Sequence, residues 1–320
     1  SFANALKNRN LLGKNDDNLS LLGIYMKNCK EWILCEYSCY QISAATVPLY
    51  DTLGPDAVEY VINHTSLQTI ICSSIELPSI CSIVLLNKCK TLKYIILNSS
   101  SGITMKEKLL CKNSNLIVYT FDELCNSNIN INSVSGSIAS PLPHGDTLAT
   151  FCYTSGTTGN PKGALITHTN IISVAAGALN SVFDLKSNDY YLSFLPLPHI
   201  FERMVISALL SCGSAIGFYR GNPLFLIDDC ITLKPTIFCS VPRVLNKIYD
   251  KIINGMSPPI AEGEGSGSGS GIKNYLFQKG LKTKLKNLEI SGQLSHIFYD
   301  NIIFNKIKVA LGLNNVRRLI

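Results

Sequence analysis

Long apolar runs are missing from this sequence. No uninterrupted stretch is long enough to span a bilayer, and no signal-peptide pattern opens the chain. The first residue is Ser1 rather than Met, so the chain reads as an excised piece of a parent whose targeting or anchor segment would lie elsewhere. Charge is also scarce. Charged residues make up 16% against 46% hydrophobic ones, which excludes a self-repelling disordered chain and predicts buried cores. The net charge of +6 over 320 residues is mild and scattered, so no nucleic-acid partner is expected. The densest basic group, Lys279, Lys282, Lys284 and Lys286, reads first as a solvated helix face, with a membrane surface or an acidic ligand as the alternative. Twelve cysteines form no CxxC pair and no cluster, which excludes a zinc site and argues against a disulfide framework. Cys72, Cys152 and Cys239 sit in apolar settings, where a free thiol behaves as a small hydrophobe. The expected location is therefore a reducing, intracellular one, cytoplasmic or peripheral on an internal membrane. The one tryptophan, Trp32, falls on an apolar helical face and is expected in the core.

What is present is alternation. Short strand-like runs at 21–25, 45–49, 69–72, 94–97 and 115–119 are separated by helical patterns at 31–40, 55–63 and 78–86, and a short helix opens at 120–123. A stretch rich in Asn, Ser and Pro follows at 126–143. A second alternating set comes next, with strands at 148–153, 163–167, 190–194, 214–219 and 236–239 and helices at 170–181, 200–210, 225–233 and 243–253. Residues 262–271 are a Gly/Ser run that cannot bury a core and reads as a flexible linker, native or engineered. Helices at 275–288 and 297–311 and a strand start at 316–320 complete the chain. Strands of this length alternating with helices predict an α/β fold of two doubly wound subdomains with mostly parallel sheets. The expected boundaries are residues 1–130, a linker at 131–147, and a second subdomain at 148–320.

The chemistry is concentrated in YTSGTTGNPKGALITH, residues 153–168. Ten residues from Thr154 to Gly163 hold three glycines, three threonines, a serine and a lysine directly after an apolar strand. Gly156 and Gly159 permit backbone angles that converge several N–H groups on one concavity. Thr154, Ser155, Thr157 and Thr158 add hydroxyls, and Lys162 adds a point charge on a flexible stem. Pro161 keeps Asn160 out of the helical region and sets the loop's exit. This is a phosphate-binding design, but not the G-x-x-x-x-G-K-[ST] loop. Counting from Gly156, Pro161 stands where the second glycine belongs, Gly163 replaces the hydroxyl after the lysine, and a strand rather than a helix follows.

The segment YTSGTTGNPKGALITHTN resembles the nucleotide loop of adenylate-forming enzymes, which include acyl-CoA synthetases, luciferases and peptide-synthetase adenylation domains. Three further blocks resemble the long-chain fatty acyl-CoA synthetase branch: VPLYDTLGPDAVEYVINHT at 47–65, SFLPLPHIFERM at 193–204 and LKPTIFCSVPRVLNKIYDKI at 233–252. FNKIKVALGLNNVRRLI at 304–320 resembles the segment leading to that branch's next strand. The likeness covers nearly the whole chain from Leu21, except 99–112, 126–143 and the Gly/Ser run.

The resemblance implies a ligase that joins fatty acid and ATP to acyl-AMP with loss of pyrophosphate, then transfers the acyl group to coenzyme A. It implies that Thr154, Ser155, Gly156, Thr157, Thr158, Gly159 and Lys162 bind the nucleotide, that Thr154 is a protein-side Mg2+ ligand, and that His199 lies near the acyl carboxylate. Lys162 and His199 are the implied catalytic residues. Glu202 and Arg203 are expected to be structural, forming a local ion pair that orients their helix. Tyr50 and Asp51 are expected to close a strand end, and the helix of 170–185 to pack on the sheet. The family's adenine and ribose contacts, hinge and C-terminal lid domain are expected beyond Ile320, so the piece alone is expected to be inactive. A ligase for another carboxylic acid, or a non-catalytic binding module on the same fold, are the alternatives.

Overall fold

The computed structural model describes residues 2–50, 54–99, 102–126, 142–154, 160–180, 183–256 and 268–320. The chain divides into two compact units, one of residues 1–184 and 195–211, the other of 185–194 and 212–320.

The first unit is a seven-stranded sheet. Its strands are β1 (Leu21–Tyr25), β2 (Ala45–Pro48), β3 (Thr69–Ser73), β4 (Tyr94–Asn98), β5 (Ile117–Thr120), β6 (Leu148–Thr154) and β7 (Lys162–Thr167), in the order β5-β4-β3-β1-β2-β6-β7. Every pairing is parallel except β6 with β7. Strands β1 and β2 are buried along their whole length, which is why they read as unbroken apolar runs rather than alternating ones. The helices are α1 (Phe2–Asn8), α2 (Lys30–Gln41), α3 (Gly54–His64), α4 (Leu77–Leu85), α5 (Met105–Asn113), α6 (Phe121–Asn126), α7 (His168–Leu179) and α8 (Ile200–Ser211). Trp32 on α2 is fully buried, as its helical face predicts. The core beneath α3, α4 and α5 includes Val58, Val61, Ile62, Ile80, Cys81, Ile95 and Cys111.

The second unit holds β8 (Tyr190–Ser193), β9 (Ala215–Phe218), β10 (Ile237–Phe238) and β11 (Arg318–Leu319), all parallel in the order β11-β10-β8-β9. Its helices are α9 (Leu226–Leu233), α10 (Pro242–Met256), α11 (Ser268–Ser291), α12 (Ile297–Tyr299) and α13 (Asn305–Ala310). Asp189 is the polar anchor of this sheet. It is buried, and its carboxylate accepts from Arg317 Nε at 2.9 Å, from Thr236 Oγ1 at 2.6 Å and from the Lys186 amide at 2.8 Å, with a further bond from Arg317 Nη2. Of the basic group on α11, Lys279, Lys282 and Lys286 are exposed and Lys284 pairs with Asp300.

The α/β class and the mostly parallel sheets agree with the sequence reading. The division does not fall at 131–147: Thr46 of β2 pairs with Thr150, so β6 extends the first sheet and brings β7 with it. Alternation gives the class of a sheet but not which sheet a strand joins. Most of the expected linker, 127–141, and residues 257–267 of the Gly/Ser region lie outside the described residues, while α11 already begins at Ser268. The helix expected at 297–311 is interrupted by a π turn at Asp300–Phe304. The helix expected to pack on the sheet, α7, buries only Ala175 among its residues, with Ile172 and Val174 exposed.

Candidate active site

In a parallel sheet, ligands gather at the carboxyl ends of the strands. In the first unit the three neighbouring strands β1, β2 and β6 end at that edge in Tyr25, Pro48 and Thr154. Thr154 is the first exposed residue after the buried run Ala149–Tyr153, and it lies opposite the exposed Lys162 in the β6–β7 ladder. The hairpin thus presents a hydroxyl and an ammonium at its loop end. Ser155, Gly156, Thr157, Thr158 and Gly159 lie outside the described residues.

The base of this hairpin is fixed from below. Tyr153 is buried, its hydroxyl lies 2.6 Å from Nδ1 of His64 at the end of α3, and burial, with Tyr60 adding to it, pushes the phenol up to about 12. Gly163, its partner on β7, leaves room for that ring: a Cβ there would come within 3.0 Å of Tyr153 Cζ.

His199 sits in an exposed turn just before α8. Its Nδ1 accepts from the Phe201 amide at 3.3 Å, and its own amide donates to the Pro196 carbonyl at 3.0 Å. With Nδ1 occupied as an acceptor, the neutral ring carries its proton on Nε2. Two residues that follow the ends of β1 and β2 hold this turn. Asn28 Nδ2 donates to the Leu195 carbonyl at 2.7 Å, and Asn28 Oδ1 accepts from the Leu197 amide at 3.1 Å. Tyr50 Oη donates to the Pro198 carbonyl at 3.1 Å, and Cys152 Sγ of β6 reaches the same oxygen at 3.8 Å. Nothing in the sequence marks Asn28 for this task. It lies 167 residues from its partner, and a lone Asn after a strand reads as a turn residue.

One turn into α8, Arg203 is buried and does not pair with Glu202. Its Nη1 donates to Glu36 Oε1 of α2 at 3.1 Å and to Thr150 Oγ1 of β6 at 2.6 Å, and its guanidinium lies 5.8 Å from the Trp32 ring centre. The expected local ion pair is therefore a long-range one, because Glu36 is buried opposite Arg203. Both Glu202 and Arg203 are buried in α8, in keeping with structural roles. Tyr50 has the structural role expected of it, and Asp51 lies outside the described residues.

A hairpin end carrying a hydroxyl and a cation suits an anionic, phosphate-bearing ligand. Among the described residues no group of three or more His, Cys, Asp or Glu could hold a metal ion.

The fold is α/β, and the exposed Thr154 and Lys162 lie at the carboxyl edge of its mostly parallel seven-stranded sheet. Residues 1–286 match the model of the AMP-binding enzyme family, and the chain belongs to that family. It is 38% identical over 293 residues to the peroxisomal long chain acyl-CoA synthetase 6 of Arabidopsis thaliana, covering 92% of this chain and 39% of that protein. It is 34% identical over 300 residues to long-chain-fatty-acid–CoA ligase 5 of Rattus norvegicus, covering 91% and 40%. The chain thus spans about two-fifths of the length of these curated relatives. Among solved structures, the adenylation domain of a carboxylate reductase from Mycobacterium chelonae superposes with a TM-score of 0.66 at 16% identity, over 91% of this chain and 44% of that one. A long-chain-fatty-acid CoA ligase from Rhodopseudomonas palustris, described as putative, gives 0.61 at 17% identity, over 78% and 56%. These two share the fold.

Proposed function

We propose that the full-length polypeptide carrying this chain is an acid–thiol ligase for long-chain fatty acids. Its first step forms a bond between a carboxylate oxygen and the α-phosphorus of ATP and breaks the bond to pyrophosphate. In the second, the sulfur of coenzyme A attacks the acyl carbon and AMP leaves. The observation that carries this reading is the exposed Thr154–Lys162 pair at the loop end of the β6–β7 hairpin, in a chain at least one-third identical to long-chain fatty acid ligases.

Thr154, Ser155, Gly156, Thr157, Thr158, Gly159 and Lys162 bind the nucleotide phosphates in this proposal. Charge builds on the departing pyrophosphate, and a fixed ammonium with hydroxyl and amide donors stabilises it without reorganising. Thr154 would hold Mg2+ beside the phosphates, where the ion would supply charge neutralisation. His199 Nε2–H donates to the acyl carboxylate or to the adenylate derived from it. Long-chain acids partition into bilayers, and the proposal keeps any membrane contact peripheral. Among the described residues no helix is long and apolar enough to cross a membrane.

Fatty-acid-dependent ATP–pyrophosphate exchange by the full-length polypeptide tests the reading. Exchange should require a long-chain acid and fall by about 100-fold or more in Lys162→Ala, the size of effect seen when one preorganised donor is removed from a charged transition state. Exchange with short or aromatic acids alone would assign a different carboxylate. No exchange with any acid by a folded protein would make the chain a binding module.

A further inference from the structure

We propose that Asn28 and Tyr50 are positioning residues that fix the His199 turn, and that Asn28 is the principal one. This rests on the reading of His199 as a substrate-contacting residue. Both residues stand just beyond the carboxyl ends of adjacent central strands, β1 and β2, which are buried along their whole length. Asn28 is buried and uses both ends of its amide on one turn, donating to Leu195 O and accepting from Leu197 N. A side-chain amide used in this way stands in for a neighbouring strand's peptide group, because it satisfies a carbonyl and an N–H that have left any sheet. Tyr50 Oη takes the next carbonyl, that of Pro198. The three backbone groups from Leu195 to Pro198 are thus tied to the edge that carries Thr154, and one residue later the free face of His199 begins. Arg203 anchors the following turn of α8 to Thr150 of β6. The clamp and the phosphate hairpin share one frame.

A purely structural role would lower the amount of folded protein and scale every activity equally. A positioning role predicts something else. Asn28→Ala should lower the adenylation kcat by about 100-fold, as displacement of a reacting group by about 1 Å does, with the KM for ATP unchanged. Tyr50→Phe removes one oxygen and should fold normally, with a loss of about fivefold, the worth of about one hydrogen bond. In a His199→Ala background, either substitution should add less than about twofold, because it acts through a group no longer there.

The experiment is this double-mutant cycle on the full-length polypeptide. It is read by ATP–pyrophosphate exchange and, independently of any reaction, by amide hydrogen exchange of the 195–199 segment. Non-additivity, with exchange of that segment about tenfold or more faster in Asn28→Ala and about fivefold faster in Tyr50→Phe, supports the inference. Additive losses, or unchanged protection of 195–199, overturn it. Full activity of His199→Ala would instead overturn the site reading and the catalytic purpose of the clamp together, leaving hydrogen exchange to judge the clamp alone. If Asn28→Ala fails to fold, Tyr50→Phe decides by the same two readouts.

Discussion

At the scale of single residues, the most consequential side chain outside the nucleotide loop is Arg203. It is held by one nitrogen only, since its Nε and Nη2 have no hydrogen-bond partner among the described residues. A buried pair of this kind adds little net stability while intact, but removing one member strands the other charge in the core. Glu36→Ala should therefore destabilise the first unit by about 3–5 kcal/mol. The double change Glu36→Met with Arg203→Met should recover most of that loss, because Met fills the space without a charge. Urea unfolding of both variants checks this, and a double variant as unstable as the single one would contradict it. Residues of the two kinds differ in how far the sequence reveals them. Thr154 and Lys162 are readable because one contiguous motif presents them. Glu36 and Asn28 act across 167 residues of chain, and their types alone suggest a solvated helix face and a turn.

Elements were readable where they are long, apolar and periodic, and less so where local hydrogen bonding starts them. The stretch 99–112 has a weak family likeness and little hydrophobic pattern, yet it holds all of α5 but Asn113. Thr104 supplies the reason. Its Oγ1 accepts from the Glu107 amide at 3.3 Å while Glu107 Oε2 accepts from the Thr104 amide at 2.7 Å, a capping box written in the sequence as T-x-x-E. That signal was available, as was its counterpart at Thr167 and Asn170, which starts α7 two residues before the apolar pattern begins. Thr104→Ala should cost about 1 kcal/mol and loosen α5 before the rest of the unit. Hydrogen exchange should show faster amides at 105–108 with the β1–β4 amides unaffected. The β6–β7 hairpin makes a second prediction at this scale. Gly163→Ala brings a methyl to within 3.0 Å of Tyr153 and must shift either that ring or β7, disturbing the bond to His64. Overpacking of this kind costs about 1–3 kcal/mol, measured as a lower urea midpoint.

For the molecule as a whole, both units depend on pH through hydrogen-bonded carboxylates. Burial alone would raise the carboxyl of Asp189. Hydrogen bonds from Arg317, Thr236 and the Lys186 amide outweigh it and hold the group below the usual aspartate value. Glu107 in the first unit is lowered by Ser74 and Thr104, and Asp300 in the second by Lys284 and the His296 amide, in both cases against the opposing effect of burial. A carboxyl that binds its proton less tightly in the folded state contributes stability that is complete above its unfolded pKa, about 3.9 for Asp and 4.3 for Glu. That contribution is lost as pH falls through the lower folded value. The contribution of these three groups should therefore be nearly flat from neutrality to about pH 5 and fall steeply below about pH 4. Asp189 is the most buried of the three and bridges Thr236, beside β10, to Arg317, beside β11, so its loss should open the second sheet first. Asp189→Asn keeps the shape but gives up the charge that Arg317 needs. It should be less stable than wild type at pH 7, with a shallower loss on acidification and convergence of the two proteins once wild-type Asp189 is itself protonated. Unfolding followed across that range, with hydrogen exchange of β8 and β10 as the local readout, checks the sign. A gap that stays unchanged throughout acidification would show that Asp189 does not act through its charge.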